Sequence, residues 1–145
     1  MSTSNRRAKK IRIVIADDNK QMREKVVQML QPDYEIVGTA ADGNAALEIE
    51  QLLKPEIVLL DISMPFRSGV EVAAEMKSKN SSAKIIFLTV HEDHDFVRAA
   101  LSAGAMGYVV KSQMATDLLD ALSSVRDGQL YISSNCVFNN SESGA

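Results

Sequence analysis

Three aspartates, a threonine and a lysine stand out in this sequence because short apolar runs lead directly to them. Ile13-Val14-Ile15-Ala16 runs into Asp17-Asp18, Ile57-Val58-Leu59-Leu60 into Asp61, Ile85-Ile86-Phe87-Leu88 into Thr89, and Tyr108-Val109-Val110 into Lys111. Runs this short do not make buried helices and suit central parallel strands covered on both faces. One aspartate after a strand is ordinarily a turn former or a helix cap. Here four strand ends together deliver three carboxylates, a hydroxyl and an ammonium to one edge of a sheet. In open α/β sheets that edge binds ligands, at the point where strand order reverses.

Carboxylates gathered there repel by roughly 4 kcal/mol per close pair at an effective dielectric near 20, so they require a proton or a cation. Ligands that are all oxygen favour a hard ion such as Mg²⁺, which often shares its coordination shell with phosphate. With the ion bound, one carboxylate can act as nucleophile on a phosphoryl group, provided the transferred oxygens meet positive charge and donors. Lys111 supplies the charge and Thr89 a hydroxyl. The set reads as phosphoryl transfer onto an aspartate.

The elements that position these residues follow from the pattern between them. A first strand over residues 11–16 precedes a helix in which Met22, Val26, Met29 and Leu30 recur at helical spacing until Pro32 stops it. Residues 34–39 alternate as a second strand, and Asp42-Gly43 turns the chain into a helix that Pro55 ends. Residues 62–68 read as a loop, followed by a helix carrying Val70, Val72, Ala73 and Met76. His91-Glu92-Asp93-His94-Asp95 is rich in metal-capable groups, but its acids lie where a helix begins, and capping of that helix is the expected role. Residues 106–110 form a fifth strand, and Leu118, Ala121, Leu122 and Val125 mark the last helix. Five βα units with right-handed crossovers imply a doubly wound parallel sheet with helices on both faces. The flavodoxin-like order 2-1-3-4-5 sets strands one and three side by side and brings Asp17, Asp18 and Asp61 together. The expected organisation is a basic arm over residues 1–10, one domain over 11–128 and a linker-like tail over 129–145.

Composition narrows the function. Of 145 residues, 46% are hydrophobic and 24% charged, as in an ordinary globular domain. The net charge of −3 is uneven: four cations lie in the first ten residues, and from Ile11 onward twelve Lys and Arg face nineteen Asp and Glu. That sign is wrong for a nucleic-acid-binding surface. No stretch is long enough to span a bilayer, the basic start lacks the apolar run of a signal peptide, and Cys136 has no internal disulfide partner, so a cytoplasmic protein is expected.

The ordered set Asp17-Asp18, Asp61 followed by Met64-Pro65 and Gly69, then Thr89 and Lys111 resembles the receiver domain of two-component response regulators over residues 11–128. The resemblance implies that Asp61 is the phosphoacceptor. It further implies that Asp18, Asp61 and the Ser63 backbone carbonyl hold Mg²⁺, with Asp17 acting through water. Lys111 and Thr89 would then contact the phosphoryl group, and Tyr108 and Thr89 would form a switch. The implied phosphodonor is a sensor histidine kinase, and phosphorylation would favour a homodimer. The domain would catalyse only its own phosphorylation and dephosphorylation. Thr89-Val90-His91, Ala103-Gly104-Ala105 and Gly128-Gln129-Leu130-Tyr131-Ile132-Ser133 are similar to receivers of LuxR-type transcription factors, which implies regulation through a DNA-binding domain absent from this chain.

Two features depart from the commonest receiver pattern. Val90 stands where a smaller residue is frequent, and Lys111 is followed by Ser112 in place of proline, so no cis peptide is expected there. Rival readings fare less well. Phosphatases that form an aspartyl-phosphate need a second acid two residues after the nucleophile, where this chain has Ser63. A flavodoxin-like nucleotide binder would meet repulsion from Asp17-Asp18 where phosphate should sit. A stand-alone receiver, or an interaction module never phosphorylated, remains the alternative.

Overall fold

In the computed structural model, which describes residues 9–136, strands and helices alternate as the apolar pattern requires. The order is β1 (Arg12–Ala16), α1 (Lys20–Leu30), β2 (Glu35–Ala40), α2 (Gly43–Leu53), β3 (Ile57–Leu60), α3 (Gly69–Ser78), β4 (Lys84–Thr89), α4 (His94–Ser102), β5 (Gly107–Val110), a 3₁₀ turn (Lys111–Gln113), α5 (Met114–Arg126), β6 (Tyr131–Ile132) and a second 3₁₀ turn (Ser134–Cys136). The strands form one parallel sheet ordered β2-β1-β3-β4-β5-β6.

Alternate residues of each central strand feed two separate cores, because side chains along a strand point to opposite faces. Val14, Val58, Leu60 and Phe87 pack with Leu47 of α2, Val72 and Met76 of α3 and Val97 of α4. Ile13, Ile15, Leu59 and Ile86 pack on the other face with Val26 and Leu30 of α1 and Leu118 and Leu122 of α5. Every residue of β3 is at most 1% exposed, which explains its unbroken apolar run.

Helix ends are closed by identifiable side chains. Asn19 accepts from the Met22 N–H at 2.9 Å and Asp42 from the Ala45 N–H at 2.8 Å. Ser68, expected as a loop residue, is the N-cap of α3 and shares a reciprocal capping box with Glu71. The acids before α4 behave differently from expectation: Asp93 takes the N-cap position but makes no side-chain cap bond, while Asp95 lies in the first turn and pairs with Arg98 at 3.2 Å. At the opposite edge of the sheet, the Arg12 guanidinium donates to the Leu53 and Lys54 carbonyls that end α2, at 2.8 and 3.0 Å. Lys84 likewise donates to the Val125 and Arg126 carbonyls at the end of α5, at 3.2 and 3.3 Å.

The sheet contains the expected five-strand order and one strand more. Residues 129–136, assigned above to a linker-like tail, return along β5, with Tyr131 beside Gly107 and Ile132 beside Tyr108. Residues 137–145, and residues 1–8 of the basic arm, lie outside the described residues. Among the described residues the cis peptide is Gln31–Pro32, so Lys111–Ser112 is trans as expected.

Candidate functional site

Strands β1 and β3 are direct neighbours, with Ala16 beside Leu60, so the residues that follow each strand emerge together. Asp17 and Asp61 are buried at 3% and 6% exposure, whereas Asp18 is exposed. The Lys111 ammonium, at the end of β5, reaches across to both buried acids, 2.6 Å from Asp17 Oδ2 and 3.0 Å from Asp61 Oδ2. Two buried negative charges therefore share one positive charge. The remaining oxygens are held by backbone: Asp61 Oδ1 accepts from the Ile62 N–H at 2.7 Å and Asp17 Oδ1 from the Asn19 N–H at 2.9 Å. Burial alone would lower the Lys111 pKa, but its hydrogen bonds to Asp17 and Asp61 outweigh that and hold it above the ordinary lysine value.

Two close approaches fix the loop after Asp61. A Cβ on Gly69 would lie 2.0 Å from the Asp61 carbonyl oxygen, so the first turn of α3 rests directly on the backbone of Asp61. A Cβ on Gly43 would lie 2.2 Å from the Arg67 carbonyl oxygen, and the Gly43 N–H donates to the Pro65 carbonyl at 3.2 Å. Glycine at both places lets α2 and α3 pin the segment from two sides.

Thr89 is fully buried at the end of β4, and its hydroxyl accepts from the His91 N–H at 3.4 Å. Val90, beside it, is 63% exposed. Tyr108 is fully buried, tilted against Phe87 at a ring separation of 6.3 Å, and its hydroxyl donates to the His91 carbonyl at 2.8 Å. The Ser63 hydroxyl lies 2.8 Å from His91 Nε2, and the His91 ring stacks on Phe96 of α4 at 4.1 Å. His91 thus ties the loop after β3 to α4, a contact across 28 residues that no local pattern announces.

Among the described residues, Asp17, Asp18 and Asp61 are the acids whose ligand atoms converge, all within 4.8 Å of one another; the stretch 91–95 forms no such group. An all-carboxylate set with one exposed member fits a hard divalent ion such as Mg²⁺. Asp18 and Asp61 would hold it directly and Asp17 through water, and the ion would supply charge neutralisation and anchoring for phosphoryl oxygens.

The site and the adjoining strand also set an alkaline limit on stability. Burial raises the Tyr108, Tyr131 and Cys136 pKa values, with nearby Cys136 and Asp93, Asp117, and Glu92 respectively adding to it; Lys111 is raised as described. A raised pKa means that the folded chain keeps protons the unfolded chain releases, starting from ordinary values of 9.0 for the thiol, 10.0 for the phenols and 10.5 for lysine. This stabilisation is complete below about pH 9 and is lost as pH climbs through and above that window. Thermal melts in steps from neutral to about pH 11 should show Tm falling from about pH 9 upward. A Tm that stays flat or rises there contradicts the burial of these groups.

No helix among the described residues is long and apolar enough to cross a membrane. The response regulator receiver domain family matches residues 13–123. The chain is 36% identical over 125 residues to the transcriptional regulatory protein DegU of Brevibacillus brevis, covering 85% of this chain and 53% of that protein. It is 42% identical over 112 residues to the transcriptional regulatory protein PdtaR of Mycobacterium tuberculosis, covering 77% of this chain and 54% of that protein. The chain thus spans about half the length of these curated relatives. Among solved structures, a LuxR-family two-component response regulator from Aurantimonas superposes with a TM-score of 0.87 at 28% identity, covering 94% of this chain and 99% of that one. The signal receiver domain of a NarL response regulator from Mycobacterium tuberculosis superposes with a TM-score of 0.79 at 33% identity, covering 83% and 99%. With three acids and a lysine converging on the end of β3 in this fold, the chain belongs to the response regulator receiver domain family, and it is similar to the receivers of LuxR-type transcriptional regulators.

Proposed function

We propose that this domain accepts a phosphoryl group on Asp61 from a phosphohistidine of a sensor histidine kinase. The observation that carries the reading is the single Lys111 ammonium shared by the buried Asp17 and Asp61 carboxylates. In the transfer, the donor's N–P bond breaks as an Asp61 O–P bond forms, and the donor imidazole keeps the released electron pair. The Asp61 carboxylate is oriented in advance by the Ile62 N–H on one oxygen and Lys111 on the other, so little motion is needed when a donor arrives. Lys111 and the Thr89 hydroxyl stabilise the charge on the transferred group. Mg²⁺ would be held by Asp18, Asp61 and the Ser63 carbonyl, with Asp17 acting through water. The domain turns over no other substrate and catalyses only its own phosphorylation and hydrolysis.

The output proposed is transcriptional, through a DNA-binding domain outside this chain, in the cytoplasm, with a homodimer favoured by phosphorylation. Thr89 and Tyr108 act as one two-state element. A phosphoryl group draws Thr89 toward Asp61 and so biases the packing of Tyr108 beneath His91, which alters α4, β5 and α5. Incubation with acetyl phosphate and Mg²⁺ should add one phosphoryl mass to the wild type and none to Asp61→Asn. Full modification of that variant would move the acceptor elsewhere.

A further inference from the structure

The segment after α5 touches the site's machinery at a point the reaction has not yet used. Ser133 is completely buried, although it lies in a stretch with the composition of a linker. Its N–H donates to the Tyr108 carbonyl at 2.8 Å, its hydroxyl oxygen accepts from the Val110 N–H at 3.1 Å, and its hydroxyl donates to Asp117 Oδ2 of α5 at 2.8 Å. Val110 immediately precedes Lys111, where β5 gives way to the 3₁₀ turn. On one side this strand end is held by β4, with Thr89 beside Val110. On the other side it is held by Ser133.

We propose that residues 131–136 are a working part of the phosphoacceptor site: Ser133 positions Lys111 through Val110, so docking of this segment and occupation of Asp61 favour each other. The inference rests on Asp61 being the phosphoacceptor. Its physical basis is that the Lys111 ammonium must span from the end of β5 to acids on β1 and β3, and a loose strand end would let that reach vary. If the segment lifts, the Val110 N–H loses its partner inside the protein and β5 is held from one side only. Coupling of this kind is reciprocal: whatever the docked segment adds to binding at Asp61, a group bound at Asp61 adds to docking.

The chain carries its own reporter of the docked state. Cys136, the one cysteine of the sequence, is 1% exposed and packs in the same core as Tyr108 and Val110. Burial also keeps its thiol protonated, so alkylation requires the segment to open.

The test follows N-ethylmaleimide addition to Cys136 of the full chain by intact mass, with Mg²⁺ alone and with Mg²⁺ plus beryllofluoride as the phosphoryl mimic. In the wild type, beryllofluoride should slow alkylation by roughly tenfold, and Asp61→Asn should abolish the slowing. Ser133→Ala should speed alkylation by roughly tenfold without the mimic. Asp117→Ala, which removes the half-exposed acceptor and leaves the Val110 bond in place, should do so more mildly and covers the case in which Ser133→Ala fails to fold. A segment that positions Lys111 should also slow phosphorylation from acetyl phosphate in both variants while their Mg²⁺ affinity holds or rises, since the ammonium and the ion compete for the same carboxylate oxygens. Faster alkylation with an unchanged phosphorylation rate would make the segment merely structural and overturn the proposal. So would a wild type that gains phosphoryl mass on Asp61 yet alkylates at one rate with and without beryllofluoride. A wild type that gains no phosphoryl mass would overturn the reading of Asp61, and this inference with it.

Discussion

Lys111→Met should destabilise the magnesium-free protein by about 3 kcal/mol, because it removes the cation that two buried carboxylates share and leaves both uncompensated. The side chain is 12% exposed, so little solvent is present to screen the loss. Added Mg²⁺ should then recover more stability in the variant than in the wild type, since in the wild type the ion competes with the ammonium for the same oxygens. At about a hundredfold over its dissociation constant, an ion contributes roughly 2.7 kcal/mol. Phosphorylation from acetyl phosphate should fall on the order of a hundredfold, because a preorganised positive group at the transferred oxygens is gone. Urea titrations of both proteins, in chelator and in Mg²⁺, measure the first two effects, and mass spectrometry the third. Equal stability of variant and wild type in chelator would mean that the ammonium does not neutralise Asp17 and Asp61.

Gly69→Ala should be nearly as damaging through sterics alone. The added methyl would sit 2.0 Å from the Asp61 carbonyl oxygen and 3.0 Å from the Ile62 Cα, and the neighbours are backbone atoms with no rotamer to change. Either α3 moves outward, breaking the Gly69 N–H bond to the Ile62 carbonyl at 2.8 Å, or the backbone of Asp61 shifts. The expected cost is about 3 kcal/mol. Unlike Lys111→Met, it should not be relieved by Mg²⁺, because charge is not the cause. Wild-type stability together with wild-type phosphorylation would show that the loop has slack which the contact denies.

The site was largely legible in the sequence because buried parallel strands are apolar throughout, so polar residues at their ends stand out. Asp17, Asp61, Thr89 and Lys111 all follow such runs, and the strand order does the rest. The pieces that escaped lacked a periodic signal. Ser68 with Glu71 is a capping-box spacing open to inspection, but Pro65 and Gly69 nearby favoured a loop. Strand β6 has two residues, too few for alternation to register, and the burial of Ser133 depends on partners on β5 and α5. The Ser63–His91 contact is purely tertiary.

The Arg12 and Lys84 side chains that close the ends of α2 and α5 bear on why the acids sit where they do. All six strands are parallel, so each helix between them returns in the opposite sense, and α1, α2, α3, α4 and α5 all begin at the edge that holds Asp61. Each helix carries about half a positive charge at its start and half a negative charge at its end. The domain is therefore an electrical dipole. Its positive helix ends gather at the edge that holds Asp61, where the proposed function puts the phosphoryl group, and its negative ends, at the far edge, are partly quenched by Arg12 and Lys84. A chain of the same composition wound the other way through its sheet would offer a phosphoryl group the repelling pole.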